Sequence, residues 1–167
     1  MPDLAKGRMH TSRKRAKRTA TSLFLPVAVG LALIPAVANS AGPPRAHAAR
    51  TLNVNDASHL HLVRSSGALL YEEGSNNGAL TGHMKARLDI GPTFTGSFTI
   101  YTGAGNVVGH GSASPRGSGR YESFSGTVQV TGGTHRYAHA HGTAGLYGTF
   151  DRDTYAFVIQ TKGKLSY

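Results

Sequence analysis

The apolar residues of this chain recur with a period of two, and that period limits the fold to one built from β-strands. It is clearest in residues 80–90, where apolar side chains occupy one parity and polar or charged side chains occupy the other. The apolar parity consists of Leu80, Met84, Ala86, Leu88 and Ile90. Since successive side chains of a strand point to opposite faces, the pattern predicts a strand with one buried and one solvated face.

Similar alternation continues through most of residues 51–167, and glycine-rich turns separate the repeats. These residues contain no apolar stripe with the 3.6-residue period of a helix. The predicted strand regions are residues 60–63, 68–72, 80–90, 93–102, 106–114, 120–131, 135–150 and 154–167. Strands separated by turns at intervals of roughly ten residues are typical of a β-sandwich or a closed barrel.

Glycine within the strands favours the barrel over the sandwich. Residues 51–167 contain 19 of the 22 glycines, and Gly82, Gly96, Gly109, Gly126 and Gly142 interrupt otherwise regular alternation. Strand glycines relieve the bend where a sheet curls on itself, and closure removes exposed edges. We therefore expect an all-β domain, a single eight-stranded antiparallel β-barrel, over residues 49–167. The chain has no cysteine, so this barrel must be stable without disulfides.

The charge of the chain is unevenly distributed, and its distribution excludes one class of partner. The formal net charge of +10 by itself suggests a nucleic-acid or membrane-surface binder. However, residues 1–50 hold nine basic residues and one acid, whereas residues 51–167 hold nine basic and seven acidic residues, a net charge of only +2. The predicted barrel also lacks the interleaved aromatic and basic residues of a nucleic-acid surface. We expect no nucleic-acid partner.

Residues 1–48 have the order of a secretory signal peptide. A basic run at residues 11–18 precedes a charge-free apolar stretch at residues 23–38, and small residues follow. The alternatives are a membrane anchor and a basic nucleic-acid arm. The apolar stretch is shorter than the roughly twenty residues of a spanning helix, and two prolines interrupt it. We therefore predict a secreted, extracellular protein that meets a membrane only during export. Two sites fit the cleavage pattern, one at residues 46–48, with cleavage after Ala48, and one at residues 38–40.

The last third of the chain carries a family resemblance. Residues 132–167 contain a Gly-Gly-Thr turn, an aromatic residue, an Ala-x-Gly step and a final strand, and residues 124–128 resemble the preceding strand. The matching residues of the turn and the step are Gly132, Gly133, Thr134, Tyr137, Ala140 and Gly142. In this order and spacing, the segment resembles the end of dirigent proteins, whose barrel is shared with allene oxide cyclases.

The resemblance implies an eight-stranded antiparallel barrel, often a homotrimer, whose lumen holds a small apolar ligand. Dirigent proteins direct radical coupling without an active centre of their own, whereas allene oxide cyclases close a ring. Two positions depart from the family pattern: His135 stands at the fourth position of the glycine turn, and His141 replaces the arginine of an Ala-Arg-Gly step. Because a shared fold does not imply a shared reaction, we do not predict radical coupling or ring closure for this chain from the resemblance.

The segment after the glycine turn supplies the candidate ligand-binding residues. Tyr137, His139, His141 and Thr143 share one parity, so we expect them on one strand face, directed either to the lumen or to solvent. On an inward face they would line the ligand cavity. Imidazoles there could donate protons or bind an anionic group near neutral pH.

Two histidine pairs form a weaker metal-binding candidate. His139 and His141, like His59 and His61, would each put two imidazoles on one strand face. A zinc or copper site needs three or four ligands, which requires the barrel to bring the two pairs together. We favour a solvated or lumen-lining polar face, and we expect no metal and no other cofactor.

No other catalytic set stands out in the sequence. Glu72 and Glu73 are adjacent, so a strand would point them to opposite faces, which argues against an acid/base pair. No nucleophile elbow or ordered triad is present. The favoured hypothesis is a secreted barrel that binds a small apolar or aromatic molecule in its lumen without turnover. The alternatives are a cyclase or isomerase that uses cavity His and Tyr side chains, and a structural exported module without a ligand.

Overall fold

The computed structural model describes residues 49–167, and the predicted signal peptide, residues 1–48, lies outside the described residues. Eight strands follow one another along the chain. They are β1 (Thr51–Ser66), β2 (Leu69–Asn77), β3 (Gly82–Ile90), β4 (Phe94–Thr102), β5 (Gly105–Arg116), β6 (Tyr121–Gly133), β7 (His141–Asp151) and β8 (Phe157–Ser166). A short 3-10 helix, His135–Tyr137, lies between β6 and β7. Over residues 49–167, no helix is long and apolar enough to cross a membrane.

Each strand pairs antiparallel with the next, and β8 returns to pair with β1. In this closing pair Thr51 lies opposite Ser166, and Leu60 lies opposite Phe157. The sheet therefore has no free edge, which is the usual solution for an antiparallel sheet of this size. The prediction of an all-β, eight-stranded antiparallel barrel is confirmed.

The two parities of the alternating sequence correspond to the inner and outer faces of the barrel. In β3 the side chains of Met84 and Ala86 are buried, whereas Lys85 and Arg87 on the other parity are exposed. The same rule applies around the barrel, so the core is made of inward residues from all strands. Its largest fully buried apolar side chains are those of Leu70, Val107 and Leu165. Burial of this kind is the main source of stability in a domain without disulfides.

Aromatic side chains close one end of the barrel. Phe94, Phe124, Phe150 and Phe157 come from the strand ends that meet there, and each contacts at least two of the others. The closest pair is Phe150 and Phe157, whose ring centroids are 4.5 Å apart and nearly parallel. Packed rings of this type bury a large area and add specific edge and face contacts. This phenylalanine cluster separates the barrel interior from solvent at that end.

The connection between β6 and β7 closes the opposite end, and it differs from the sequence prediction. The prediction of one strand over residues 135–150 is wrong at its start, because β7 begins at His141. His135 adopts a left-handed backbone with φ of 52°, and a helical turn follows. This turn buries Tyr137, whose ring packs against Tyr167 with centroids 5.4 Å apart. Tyr137 thus becomes part of the barrel's closure.

Gly126 shows why glycine is needed inside these strands. It points into the barrel from β6, where an added Cβ would lie 2.0 Å from the Ser112 carbonyl oxygen and 2.5 Å from the Ala113 Cα. Both neighbours are backbone atoms and cannot move aside cheaply. By contrast, Gly145 on β7 points outward, and an added Cβ would meet only the Lys162 carbonyl oxygen at 3.7 Å.

This contrast predicts different tolerance to the same substitution. Gly126→Ala should lower the free energy of unfolding by about 2 kcal/mol, because the inserted methyl group forces the β5 and β6 backbones apart. Gly145→Ala should leave stability unchanged or raise it slightly, because alanine restricts the unfolded chain. Urea unfolding followed by circular dichroism measures both. Equal effects of the two substitutions would contradict the assignment of inner and outer faces.

Candidate functional site

The interior of the barrel contains a cavity of about 100 Å³, and every one of the eight strands contributes to its lining. Much of the wall is apolar, and it includes the side chains of Met84, Leu88, Phe98, Ile100, Val128 and Leu146. An apolar cavity of about 150 Å³ in a protein core is known to hold benzene. The space in this barrel is smaller than that, so it suits a ligand of no more than one small ring.

The cavity exists because small residues occupy several inward positions of the strands. Ala86, Gly96, Gly111, Ala113 and Ala144 all border it. An eight-stranded barrel is just wide enough for inward side chains to fill it, so short side chains at these positions leave space unfilled. The glycines and alanines that permit strand curvature thus also define the room for a ligand.

One part of the cavity wall is polar and fully buried. Asp56 and Ser58 come from β1 and Asn76 comes from β2, and all three border the cavity. Their exposed fractions are 4%, 4% and 1%, respectively. The Ser58 hydroxyl donates to Asn76 Oδ1 at 2.5 Å, and Asn76 Nδ2 donates to Asp56 Oδ2 at 3.0 Å. We call these three residues the polar trio.

The polar trio also holds the turn between β2 and β3. The Asp56 carboxylate accepts the backbone N–H of Ala79 at 2.5 Å and that of Leu80 at 3.2 Å. Asn76 Nδ2 donates to the Leu80 carbonyl oxygen at 2.8 Å. Among residues 49–167, no Lys, Arg or His forms an ion pair with Asp56. The carboxylate is therefore stabilised by hydrogen bonds alone.

Glu72 is a second inward carboxyl group, and it has no comparable partners. Its side chain is 1% exposed, and in the part of the chain that the structure describes neither carboxyl oxygen has a hydrogen-bond partner. Burial raises the pKa of Glu72 from 4.5 to about 7. The residue pairs in register with Ala86, which borders the cavity, but Glu72 is not itself part of the cavity lining.

Glu73, the next residue, confirms the prediction that adjacent carboxylates point to opposite faces. It lies on the outside of the barrel, where its Oε1 accepts from Lys85 Nζ at 2.7 Å. The hydrogen bond to Lys85 lowers the pKa of Glu73 below its usual value. The two neighbouring glutamates therefore shift in opposite directions and do not form an acid/base pair.

Ion pairs fasten the rim near the phenylalanine cluster. Arg152 Nη2 donates to the buried Glu122 Oε2 at 2.6 Å, and Arg120 forms two hydrogen bonds to Asp151 at 3.3 and 3.0 Å. The Arg120 hydrogen bond holds the pKa of Asp151 at about 2. These pairs tie the turn between β7 and β8 to the start of β6. They have a structural role and do not reach the cavity, since its lining contains none of the four residues.

The four candidate binding residues lie in different places. Tyr137 is buried at the barrel end, and it does not border the cavity. His139 and His141 are exposed, and His141 Nδ1 lies 3.0 Å from the His139 carbonyl oxygen. Thr143 borders the cavity, but it belongs to the exposed face of β7. The structure therefore does not bring these four side chains together around the cavity.

The two histidine pairs are also far apart. His59 lies opposite Val158, and His141 lies opposite Ser166, so eight residues of β8 separate the two registers. At about 3.3 Å per residue, this corresponds to about 26 Å along the strand. All four histidines are exposed. Over residues 49–167, no three His, Cys, Asp or Glu residues come together as a metal site.

The residues that do face the cavity with polar groups were missed by sequence reasoning. Asp56 and Ser58 lie between Val54 and Leu60 on a single parity of β1, which was the signal that they point inward. Chemically, the arrangement offers an apolar chamber with one polar wall, which can bind a small molecule and orient it. No protein-family model matches this chain, and neither a curated protein nor a solved structure matches it.

Proposed function

We propose that this protein binds a small, mainly apolar molecule in the lumen of its barrel after export from the cell. The observation that carries the proposal is the cavity of about 100 Å³ inside a closed sheet. Concave, mainly apolar pockets with a few polar groups are the usual form of small-molecule sites. For a single-ring ligand, the small number of contact atoms corresponds to affinities in the micromolar to millimolar range.

Binding rather than turnover is the function that the cavity favours. The cyclase or isomerase alternative relied on cavity His and Tyr side chains, and neither His139, His141 nor Tyr137 borders the cavity. Binding in a preformed chamber needs no such group. The resemblance of residues 132–167 to dirigent proteins is consistent with this proposal, because those proteins have no active centre of their own.

The proposed site of action is extracellular. The support for it is the order of basic, apolar and small residues in residues 1–48. A barrel that closes without cysteine needs no oxidising compartment to fold, and it retains its lumen in any redox environment. Mass spectrometry of the protein recovered from the medium of a producing cell would locate the new N-terminus.

Filling the cavity should abolish binding. Ala144 borders the lumen from β7, so Ala144→Leu should place its extra carbons in the cavity and eliminate saturable binding of toluene. Thr149→Leu adds leucine to the exposed face of the same strand and should leave binding unchanged. Chemical-shift titration by NMR measures both affinities, and a thermal melt confirms that each variant is folded, since overpacking costs about 1–3 kcal/mol.

The outcomes of this titration are distinct. Saturable binding by the natural sequence and by Thr149→Leu, together with its loss in Ala144→Leu, supports a ligand chamber in the lumen. If the unmodified protein takes up no toluene or other single-ring molecule, the proposed function is wrong. Equal binding by Ala144→Leu would place the bound molecule outside the lumen.

A further inference from the structure

The hydrogen-bond arrangement of the polar trio restricts which ligand the cavity can accept, and the restriction begins at Asn76. Its amide orientation is fixed, because the Leu80 carbonyl oxygen at 2.8 Å and Asp56 Oδ2 at 3.0 Å are both acceptors. Both can be satisfied only by the NH₂ group of Asn76. Oδ1 of Asn76 therefore faces Ser58.

The hydroxyl of Ser58 must consequently act as a donor within the trio. Its oxygen lies 2.5 Å from Asn76 Oδ1, which can only accept. Asn76 uses both amide hydrogens on Asp56 and Leu80. No donor of the trio is then left for a ligand. The Ser58 oxygen and Asn76 Oδ1 still have unused lone pairs, since a hydroxyl and an amide oxygen each accept two hydrogen bonds.

The charge at the cavity wall also favours a ligand that donates hydrogen bonds. Asp56 is a buried carboxylate at the cavity wall, and no cation among residues 49–167 pairs with it. A ligand carboxylate or carbonyl directed at Ser58 and Asn76 would face acceptors beside a negative charge and would lose its own hydration. The Thr161 hydroxyl, in register with Asp56 on the neighbouring strand, also borders the cavity. A ligand hydroxyl or amine would meet acceptors in a favourable field.

We propose that the lumen selects ligands whose apolar ring carries a hydrogen-bond donor, a hydroxyl or an amine, directed at Ser58 and Asn76. This inference rests on the proposed function, because it requires that the lumen binds a ligand. The apolar wall accepts the ring, and the polar trio fixes its orientation. A ligand with only acceptor groups is disfavoured at Ser58 and Asn76, because its lone pairs would face theirs.

Phenol and toluene test the proposal on the full-length protein, because they have nearly the same shape and differ in a hydroxyl and a methyl group. Although water solvates phenol more strongly, we expect it to bind at least as tightly as toluene, as measured by NMR titration. Weaker binding of phenol than of toluene would overturn the donor requirement and leave the proposed function intact. Failure of both ligands to bind would instead contradict the proposed function itself.

A pair of isosteric variants locates the donor's partner. Ser58→Thr keeps the hydroxyl, and Ser58→Val replaces it with a methyl group in a side chain of the same shape. Relative to Ser58→Thr, Ser58→Val should weaken the binding of phenol about five- to tenfold, which is the effect of one hydrogen bond. The affinity for toluene should change by less than twofold. Equal changes for both ligands would overturn the assignment to Ser58.

Two controls accompany this pair. Ser75→Ala removes a hydroxyl from the exposed face of β2, beside Asn76, and should leave both affinities unchanged. If Ser58→Val does not fold, the comparison of phenol with toluene on the unmodified protein still decides the proposal.

Discussion

The unmodified protein should lose about 3 kcal/mol of stability between pH 5 and pH 8, and replacing Glu72 by glutamine should remove this loss. The carboxyl group is 1% exposed, and its oxygens have no hydrogen-bond partner within the described residues, so the barrel favours its neutral form. Its pKa in the folded protein is raised from 4.5 to about 7 by burial.

The sign of the effect follows from proton binding in the two states of the chain. Between pH 4.5 and about 7, unfolded chains have released the Glu72 proton and folded chains still hold it. Folding then takes up a proton, so stability falls by about 1.4 kcal/mol for each unit of pH and levels off above pH 7. Asp151, with its pKa lowered to about 2, acts only under more acidic conditions.

Urea unfolding at pH 5, 6, 7 and 8 measures this dependence. Glu72→Gln should make the free energy of unfolding nearly constant over the range, and Glu72→Leu should also raise it at pH 8, because no polar group is left unpaired. Glu73→Gln is the matched control on the outer face, and it should retain the fall with pH. A flat profile for the unmodified protein would contradict the burial of an unpaired Glu72.

The strands predicted best from the sequence are those whose apolar side chains all point into the barrel and whose polar side chains all point to solvent. In β3, charged Lys85 and Arg87 alternate with apolar Met84 and Ala86, and the charged ones do face solvent. Alternation of this kind determines the register of a strand, because a slip by one residue would bury the charges. The barrel follows from several such strands, since eight of them with glycine at the bends can close on themselves.

β1 and β2 were underestimated for the opposite reason. The sequence predicted only residues 60–63 and 68–72 as strands, whereas β1 spans Thr51–Ser66 and β2 spans Leu69–Asn77. Their inward parity contains polar side chains, so the apolar alternation is interrupted where the polar wall of the cavity forms. The residues on which the proposed ligand selectivity rests are those that depart from the core pattern.

The four candidate site residues do not share one face, because parity does not persist through a turn. Tyr137 and His141 have the same parity, but Tyr137 is buried and His141 is exposed. The left-handed backbone at His135 and the helical turn after it break the period between them. A positive φ at a non-glycine residue is uncommon, and nothing in the local sequence signals it. The inner face of β7 therefore begins with Gly142 and Ala144, and His141 lies on the outer face.

Replacing Asp56 by alanine should destabilise the barrel by about 4 kcal/mol, a large part of the stability of a small domain. The carboxylate accepts the backbone N–H groups of Ala79 and Leu80 and an amide hydrogen of Asn76. All three donors would lose this partner, and the donors of Leu80 and Asn76 are buried, where an orphaned donor costs about 1–3 kcal/mol. Asn55→Ala, at the adjacent exposed position, should change stability by no more than about 0.5 kcal/mol.

Asp56→Asn separates the effect of side-chain shape from the ability to accept hydrogen bonds. Asparagine fits the same space, but its NH₂ group replaces one accepting oxygen and must face a donor of Ala79, Leu80 or Asn76. We therefore expect a loss of about 2 kcal/mol, between the effects of Asp56→Ala and Asn55→Ala. Urea unfolding at pH 7 ranks the three variants. If Asp56→Ala costs no more than Asn55→Ala, the polar trio does not hold the β2–β3 turn.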